Sequence, residues 1–224
     1  MSASRGQTHD LPRGDSVLPA WVKQAARGAL RPVVRLALAL RLTPNTVTVI
    51  GLLITAGAAI MVAVGWLVAA AAALTAGSLL DAVDGALARA QGGGTRFGGF
   101  LDSTLDRAGE SIIYTGVAGY YLTGSDEPAW PVLAAIGALV GSFLVSYSRA
   151  RAEGIGLSAE VGLAPRTERL VLVIAGIGLT GLGFAPGLVG ALVIIAALTA
   201  ATVIQRIWHV WRLSEAATSA PEEK

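Results

Sequence analysis

The sequence contains no cysteine and only two histidines, His9 and His209. The missing cysteines exclude disulfide frameworks, thiolate metal sites and cysteine nucleophiles, and two histidines are too few for a histidine-rich metal centre. Charged residues are also scarce, at 14% of the 224 residues. The metal-binding and acid-base chemistry open to this chain is therefore carboxylate chemistry.

What the sequence has in excess is apolar residues, which make up 54% of the chain and give a mean hydropathy of +0.63. This balance lies well outside that of a soluble domain. Six apolar stretches are each close to the ~20 residues that a helix needs to cross a bilayer. They cover approximately residues 45–66, 67–88, 99–123, 129–150, 168–185 and 187–211. The sequence therefore predicts an all-α integral membrane protein with six transmembrane helices.

A basic, amphipathic stretch precedes the first predicted span. Arg27, Arg31 and Arg35 recur at four-residue spacing among apolar residues, which predicts a helix lying in the lipid headgroup plane. We therefore divide the chain into a disordered N-terminus (1–17), a juxtamembrane amphipathic helix (18–41), a six-helix domain (42–213) and a disordered tail (214–224).

The positive charges are distributed unevenly between the two sides of the predicted bundle. All 17 Lys and Arg residues fall before the first span, around 89–107, around 149–169 or from Arg206 onward. By the positive-inside rule, these regions and both termini face the cytoplasm. The pattern predicts a multi-pass protein of the cell membrane whose charged motifs all lie on the cytoplasmic side.

Four aspartates lie within this otherwise apolar sequence. Asp81 and Asp84 are three residues apart, and Asp102 and Asp106 are four apart, so each pair projects from one face of its own helix. Two facing helices would then present four carboxylates to one point. Such a concentration of charge in a membrane protein requires a cation, and oxygen-only ligands select hard ions. We expect Mg²⁺, with Mn²⁺ as the alternative, and two ions could clamp a pyrophosphate.

The residues between the aspartates favour a phosphate ligand. Gly85 and Ala88 keep one helix face small, Arg89 supplies a charged fork, and the run Gln91-Gly-Gly-Gly-Thr95 is a flexible loop whose amides can reach phosphate oxygens. The alternative for the small residues is close helix packing.

The whole motif resembles the signature of the CDP-alcohol phosphotransferase family, which it matches at eight defined residues over 26 positions: Asp81, Asp84, Gly85, Ala88, Arg89, Gly98, Asp102 and Asp106. The resemblance implies a dimeric six-helix membrane enzyme in which an alcohol displaces CMP from a CDP-activated lipid. It implies that Asp81, Asp84 and Asp102 are metal ligands and that Asp106 is a metal ligand or the catalytic base. It implies that Gly85, Ala88, Arg89 and Gly98 bind the nucleotide. To this set we add Thr95 from the loop and Asn45 from the start of the first span.

A second basic cluster bears on the acceptor alcohol. Arg149 and Arg151 close the fourth span, Arg166 and Arg169 open the fifth, and Arg206 lies inside the sixth. Because arginine suits bidentate phosphate contact, a phosphorylated acceptor bound by Arg149, Arg151, Arg169 and Arg206 is favoured over free inositol or serine. We expect Arg166 to anchor its span at the interface, and Glu153 and Glu168 to pair with neighbouring arginines. The alternatives are interface anchoring for Arg149 and Arg151 and pairing of Arg206 with a motif carboxylate.

Within the family, the pattern resembles the actinobacterial phosphatidylinositol-phosphate synthases over nearly the whole membrane region. Arg149 stands where lysine is usual, and Pro165-Arg-Thr-Glu-Arg replaces Glu-Arg-Pro-Glu-Arg. This resemblance implies CDP-diacylglycerol and inositol 1-phosphate as substrates and no nucleic-acid partner. The alternatives are a phosphatidylglycerophosphate synthase that uses glycerol 3-phosphate and, from a different class, an ion-coupled transporter.

Overall fold

The computed structural model describes residues 32–124 and 129–219, and these residues form helices and connecting loops with no strand among them. Residues 32–39 form the helical part of a segment that we call α1. Six longer helices follow: α2 (Pro44–Ala63), α3 (Leu67–Ala90), α4 (Arg96–Thr123), α5 (Trp130–Gly154), α6 (Arg166–Gly181) and α7 (Pro186–Ser219). The all-α prediction is confirmed for these residues.

The helix boundaries follow local sequence signals. Thr43 caps α2, with Pro44 at its first position, where the missing proline N–H costs nothing. Gly65 turns the chain into α3 with φ 85°, a conformation that favours glycine. Because the connection is so short, α2 and α3 are antiparallel neighbours.

The strongest helix contacts form a closed ring. α2 packs against α3 and α4, α4 against α5, α5 against α7, α7 against α6, and α6 against α3. The apolar core inside the ring draws residues from every helix from α2 to α7. Close approach depends on small residues, since a Cβ at Gly116 of α4 would collide with the Ala59 carbonyl of α2.

Four of the helices, α2, α3, α5 and α7, are long and apolar enough to cross a membrane. α4 is not among them, and it carries Asp102, Asp106, Arg107 and Glu110 within its first 15 residues. α6 has only 16 residues. The chain is thus a helical membrane protein, and the crossing of the bilayer by α4 and α6 stays a prediction.

The two ends of the chain differ in how far the structure describes them. The predicted disordered N-terminus and most of the predicted amphipathic helix lie outside the described residues. At the other end, we place the end of the helical domain at residue 213, but α7 continues to Ser219. That part of the predicted disordered tail is therefore corrected to helix, while residues 220–224 lie outside the described range.

Candidate active site

Two helix ends place the motif aspartates. α3 carries Asp81 and Asp84 in its last turns, and α4 carries Asp102 and Asp106 in its first turns. Between the helices, Gly92 and Gly93 adopt φ values of 96° and 114°. The Thr95 hydroxyl then caps α4 by accepting a hydrogen bond from the Gly98 amide at 2.9 Å. This short loop holds both carboxylate pairs at the same end of the bundle.

The structure brings three of the four aspartates into one cluster. Carboxylate oxygens of Asp81, Asp102 and Asp106 all lie within 4.8 Å of one another. Asp84 is buried and points toward α2, where it accepts a hydrogen bond of 2.8 Å from the Thr48 hydroxyl. The predicted set is therefore divided into a triad and a separately anchored fourth carboxylate.

Arg166, at the start of α6, lies against this triad. One of its guanidinium nitrogens, Nη1, is 3.0 Å from Oδ2 of Asp81 and 2.8 Å from Oδ2 of Asp106. Interface anchoring, our expectation for Arg166 from the sequence, is corrected by these contacts. Sequence reasoning missed this contact because it depends on the packing of α6 against α3. That packing brings Arg166 next to Asp81, which lies 85 positions earlier in the chain.

The triad fits a hard divalent cation. Its donor atoms are all carboxylate oxygens, the ligand type that Mg²⁺ and Mn²⁺ prefer. Oxygens on opposite sides of one Mg²⁺ are about 4 Å apart, from a metal–oxygen distance of roughly 2.0–2.1 Å. Carboxylates within 4.8 Å of one another therefore need only small side-chain movements to share an ion. The positively charged guanidinium of Arg166 already lies between two of these carboxylates, those of Asp81 and Asp106.

A cleft opens beside the triad and contains most of the predicted nucleotide-binding residues. Asn45, Gly85, Ala88, Thr95 and Gly98 line it, together with Asp84 and Asp102. Arg89 is the one predicted member that does not line the cleft. Asp102 belongs both to this cleft and to the carboxylate triad. A ligand in the cleft would thus lie directly beside the carboxylates.

Two helix N-termini face the same cleft. Thr43, Pro44 and Asn45 at the start of α2 line one side, and Thr95, Gly98 and Gly99 at the start of α4 line the other. The free N–H groups and the positive end of each helix dipole favour an anion at these positions. Gly98 is tightly enclosed, since a Cβ there would come within 3.1 Å of both the Asn45 Oδ1 and the Thr95 Oγ1 atoms. The cleft suits a phosphate group that approaches the backbone closely.

Two of the arginines predicted to bind the acceptor, Arg149 and Arg169, each lie close enough to a third, Arg206, to repel its charge. Each has protein partners. Arg149 is exposed and pairs with Glu153 at 2.9 Å and with Glu160 at 2.8 Å, so the expected glutamate–arginine pairing is confirmed for Glu153. Arg151 lines an outer groove of α5 and α7 together with Arg206 and Trp211.

The two buried arginines of this group contact the backbone before α6. Arg206 donates from Nε to the Val161 carbonyl at 2.9 Å and from Nη1 to the Val145 carbonyl. No motif carboxylate pairs with Arg206 among the described residues. The free-energy cost of burying the Arg206 charge is instead offset by the dipoles of these carbonyl groups.

Arg169 is 1% exposed and forms a two-point ion pair with Glu110, at 2.7 and 2.9 Å. Sequence reasoning missed Glu110, although it continues the four-residue spacing of Asp102 and Asp106 along α4. These three acidic side chains therefore form one line running from the cleft into the bundle.

Residues 41–213 match the family model described as CDP-alcohol phosphatidyltransferase. The chain is 40% identical over 191 residues to a phosphatidylinositol phosphate synthase of Mycolicibacterium smegmatis, with 84% of this chain and 85% of the relative covered. It is 37% identical over 197 residues to an archaetidylinositol phosphate synthase of Methanothermobacter thermautotrophicus, with 85% of this chain and 97% of the relative covered.

The fold is also similar to solved structures. The crystal structure of the Mycobacterium tuberculosis phosphatidylinositol phosphate synthase with CDP-DAG bound has a TM-score of 0.75 and 35% sequence identity, covering 80% of this chain and 92% of that one. The same enzyme in complex with manganese and citrate also has a TM-score of 0.75 at 35% identity, covering 80% of this chain and 88% of that one.

Proposed function

Since this chain belongs to the CDP-alcohol phosphatidyltransferase family, we propose that it transfers the phosphatidyl group of CDP-diacylglycerol to inositol 1-phosphate. The products are CMP and phosphatidylinositol phosphate. The chain is an enzyme of this family, so the transporter hypothesis is set aside. Its similarity to phosphatidylinositol phosphate synthases from several actinobacteria supports the choice of donor and acceptor.

The observation that carries the proposal is the position of the carboxylate triad at the edge of the cleft. A nucleoside diphosphate has an anionic part that needs cations and amide donors, and a base and sugar that need space. The cleft offers two helix N-termini and small residues, and Asp102 joins it to the triad. A pyrophosphate in the cleft would lie beside the carboxylates, where a phosphorus–oxygen bond can be broken.

Asp81, Asp102 and Asp106 would hold one divalent cation, and Asp84 with Asp102 would hold a second. We propose Mg²⁺, with Mn²⁺ as a substitute, and the manganese complex of the M. tuberculosis enzyme supports a metal requirement. When bound, these ions supply Lewis-acid stabilisation of the pyrophosphate charge. The Thr48 hydroxyl, 2.8 Å from Oδ2 of Asp84, holds that carboxylate in one orientation toward the cleft.

Asp106 is the residue that we propose as general base. Its carboxylate is largely enclosed, and it lies where the triad meets Arg166. It would accept the proton of the acceptor hydroxyl while that oxygen attacks the lipid-side phosphorus in line. Because CMP leaves in the same step, no covalent enzyme intermediate is required.

The acceptor phosphate would bind at the group formed by Arg149, Arg169 and Arg206, with Arg151 as a fourth member. Arg206 supports this proposal most strongly, because it is a buried cation whose observed hydrogen bonds go to neutral carbonyls. A phosphomonoester would supply the missing negative charge. Glycerol 3-phosphate has the same group, so it is the acceptor against which inositol 1-phosphate must be tested.

We propose that the enzyme lies in the cell membrane. The loops between α3 and α4 and between α5 and α6 and the end of α7 share one side of the bundle, and they carry the arginines. By the positive-inside rule we place this side, with the active site and both termini, in the cytoplasm. We further propose that α2 to α7 all span the bilayer and that the enzyme is a homodimer.

The experiment measures CMP release by purified protein in detergent with CDP-diacylglycerol and Mg²⁺. Inositol 1-phosphate, glycerol 3-phosphate, free inositol and serine are offered in separate reactions. We expect release with inositol 1-phosphate only. Preference for glycerol 3-phosphate would overturn the acceptor but keep the donor chemistry, whereas release with free inositol or serine would overturn the role of the arginine group. Chelation of the metal should abolish release with every acceptor.

A further inference from the structure

The segment that joins α5 to α6 is held in place by one hydroxyl group of α7. Oγ1 of Thr202 accepts a hydrogen bond from the Leu163 amide at 3.0 Å and another from the Ala164 amide at 3.1 Å. It also donates to the Leu198 carbonyl of its own helix at 2.8 Å. A hydroxyl has one proton and two lone pairs, so its bonding capacity is fully used. Thr202 is itself 0% exposed, which removes water as an alternative partner.

The neighbouring glycine allows this contact. Gly162 adopts φ 141°, and a Cβ at this position would collide with the methyl group of Thr202. Both the backbone conformation and the close approach therefore require glycine. The segment is fitted to Thr202 through its backbone, which no side-chain motif in the sequence indicates.

The same segment carries the carbonyls that orient two of the proposed acceptor-binding arginines. Arg206 donates to the Val161 carbonyl at 2.9 Å, and Arg169 donates to the Ala164 carbonyl at 2.6 Å. A shift of residues 161–164 would therefore disturb one hydrogen bond of each guanidinium group. Among the described residues, the hydrogen bonds of Thr202 go to Leu163, Ala164 and Leu198 and not to either guanidinium, so its hydroxyl acts on them through the backbone.

We propose that Thr202 is a positioning residue for the phosphorylated acceptor. Its hydroxyl fixes residues 161–164, and this segment fixes Arg169 and Arg206. The proposal rests on the acceptor role that we propose for these arginines. Loss of the hydroxyl would leave the buried N–H of Ala164 and the part-buried N–H of Leu163 unsatisfied, which the segment would relieve by moving toward water.

The test compares three variants in the CMP-release assay. Thr202→Val keeps the shape of the side chain and removes the hydroxyl, while Thr202→Ser restores it. The matched control is Thr199→Val, because Thr199 is equally buried on α7 but donates only to carbonyls of its own helix.

For Thr202→Val we expect the acceptor KM to rise about tenfold or more, since a displacement of ~1 Å can cost up to ~10²-fold. The KM for CDP-diacylglycerol should change less than about twofold, because the donor cleft contains no residue of this segment. Thr202→Ser and Thr199→Val should behave like the natural protein.

Equal changes in both KM values, or equal behaviour of Thr202→Val and Thr199→Val, would overturn the positioning role. If Thr202→Val does not yield folded protein, Gly162→Ala displaces the segment from its other side and must raise the acceptor KM selectively. If the natural protein uses glycerol 3-phosphate rather than inositol 1-phosphate, the proposed acceptor fails, and the variants are then judged with the acceptor that the protein does use.

Discussion

Arg166 and Asp106 form an ion pair at the edge of the proposed active site, with Nη1 of the arginine 2.8 Å from Oδ2 of the aspartate. The same nitrogen is 3.0 Å from Oδ2 of Asp81. A guanidinium on α6 thus pairs with two of the three carboxylates that would hold a divalent cation. Arg166 and the cation are therefore expected to compete.

Replacement of Arg166 should consequently strengthen metal binding. We expect Arg166→Gln to bind Mn²⁺ about three- to tenfold more tightly than the natural protein, because it removes one charge-assisted, partly exposed competitor. The measurement is a Mn²⁺ titration followed by electron paramagnetic resonance, without substrates. The matched control is Arg107→Gln, since Arg107 lies 3.9 Å from Asp106 and donates to the Ser103 carbonyl. Equal effects of the two variants would mean that only the overall charge matters.

Asp106→Asn should separate binding from turnover. The amide keeps one oxygen for the cluster but cannot accept the acceptor's proton, so turnover should fall by about 10²–10⁴-fold. Binding of CDP-diacylglycerol in the presence of Mg²⁺, measured by microscale thermophoresis, should largely survive. Normal turnover in this variant would remove Asp106 from the role of base.

The buried pair of Glu110 and Arg169 should contribute more to stability than the exposed pair of Glu153 and Arg149. Glu110→Gln leaves a buried guanidinium without its counter-charge, which should cost about 3 kcal/mol or more. Glu153→Gln breaks a pair whose side chains are both about half exposed, and it should cost less than about 1 kcal/mol. Thermal unfolding in one detergent measures both variants. A smaller effect of Glu110→Gln than of Glu153→Gln would contradict the structure at this position.

Helix packing can be tested with two glycines. Gly116→Ala places a Cβ against the Ala59 carbonyl, whereas Gly57→Ala meets no atom within 4 Å. We expect the first change to destabilise the protein by about 1–3 kcal/mol through overpacking. The second should be neutral or stabilising by about 0.5–1 kcal/mol, the usual gain of alanine over glycine within a helix. Both effects are read from thermal unfolding, and equal stabilities would argue against the contact between α2 and α4.

The sequence by itself determined the class of protein, most helix positions and the location of the carboxylate motif. These features are local. Hydropathy selects membrane helices, residues such as Thr43 and Thr95 cap them, and a spacing of three or four residues places Asp81 with Asp84, and Asp102 with Asp106, on one helix face. The motif also contains five residues that line the donor cleft, because they lie on the two helix ends that the loop at 91–95 joins. These residues are Asp84, Gly85, Ala88, Gly98 and Asp102.

Only the tertiary structure decided which of these groups meet. It turned Asp84 toward Thr48, brought Arg166 onto Asp81 and Asp106, and paired Glu110 with Arg169. The partners in these contacts are between 36 and 85 positions apart in the chain. No local period carries this information, because it depends on the order in which six helices close into a ring. The physical reason is that a helix sets the direction of a side chain, while the packing of its neighbours sets what that side chain contacts.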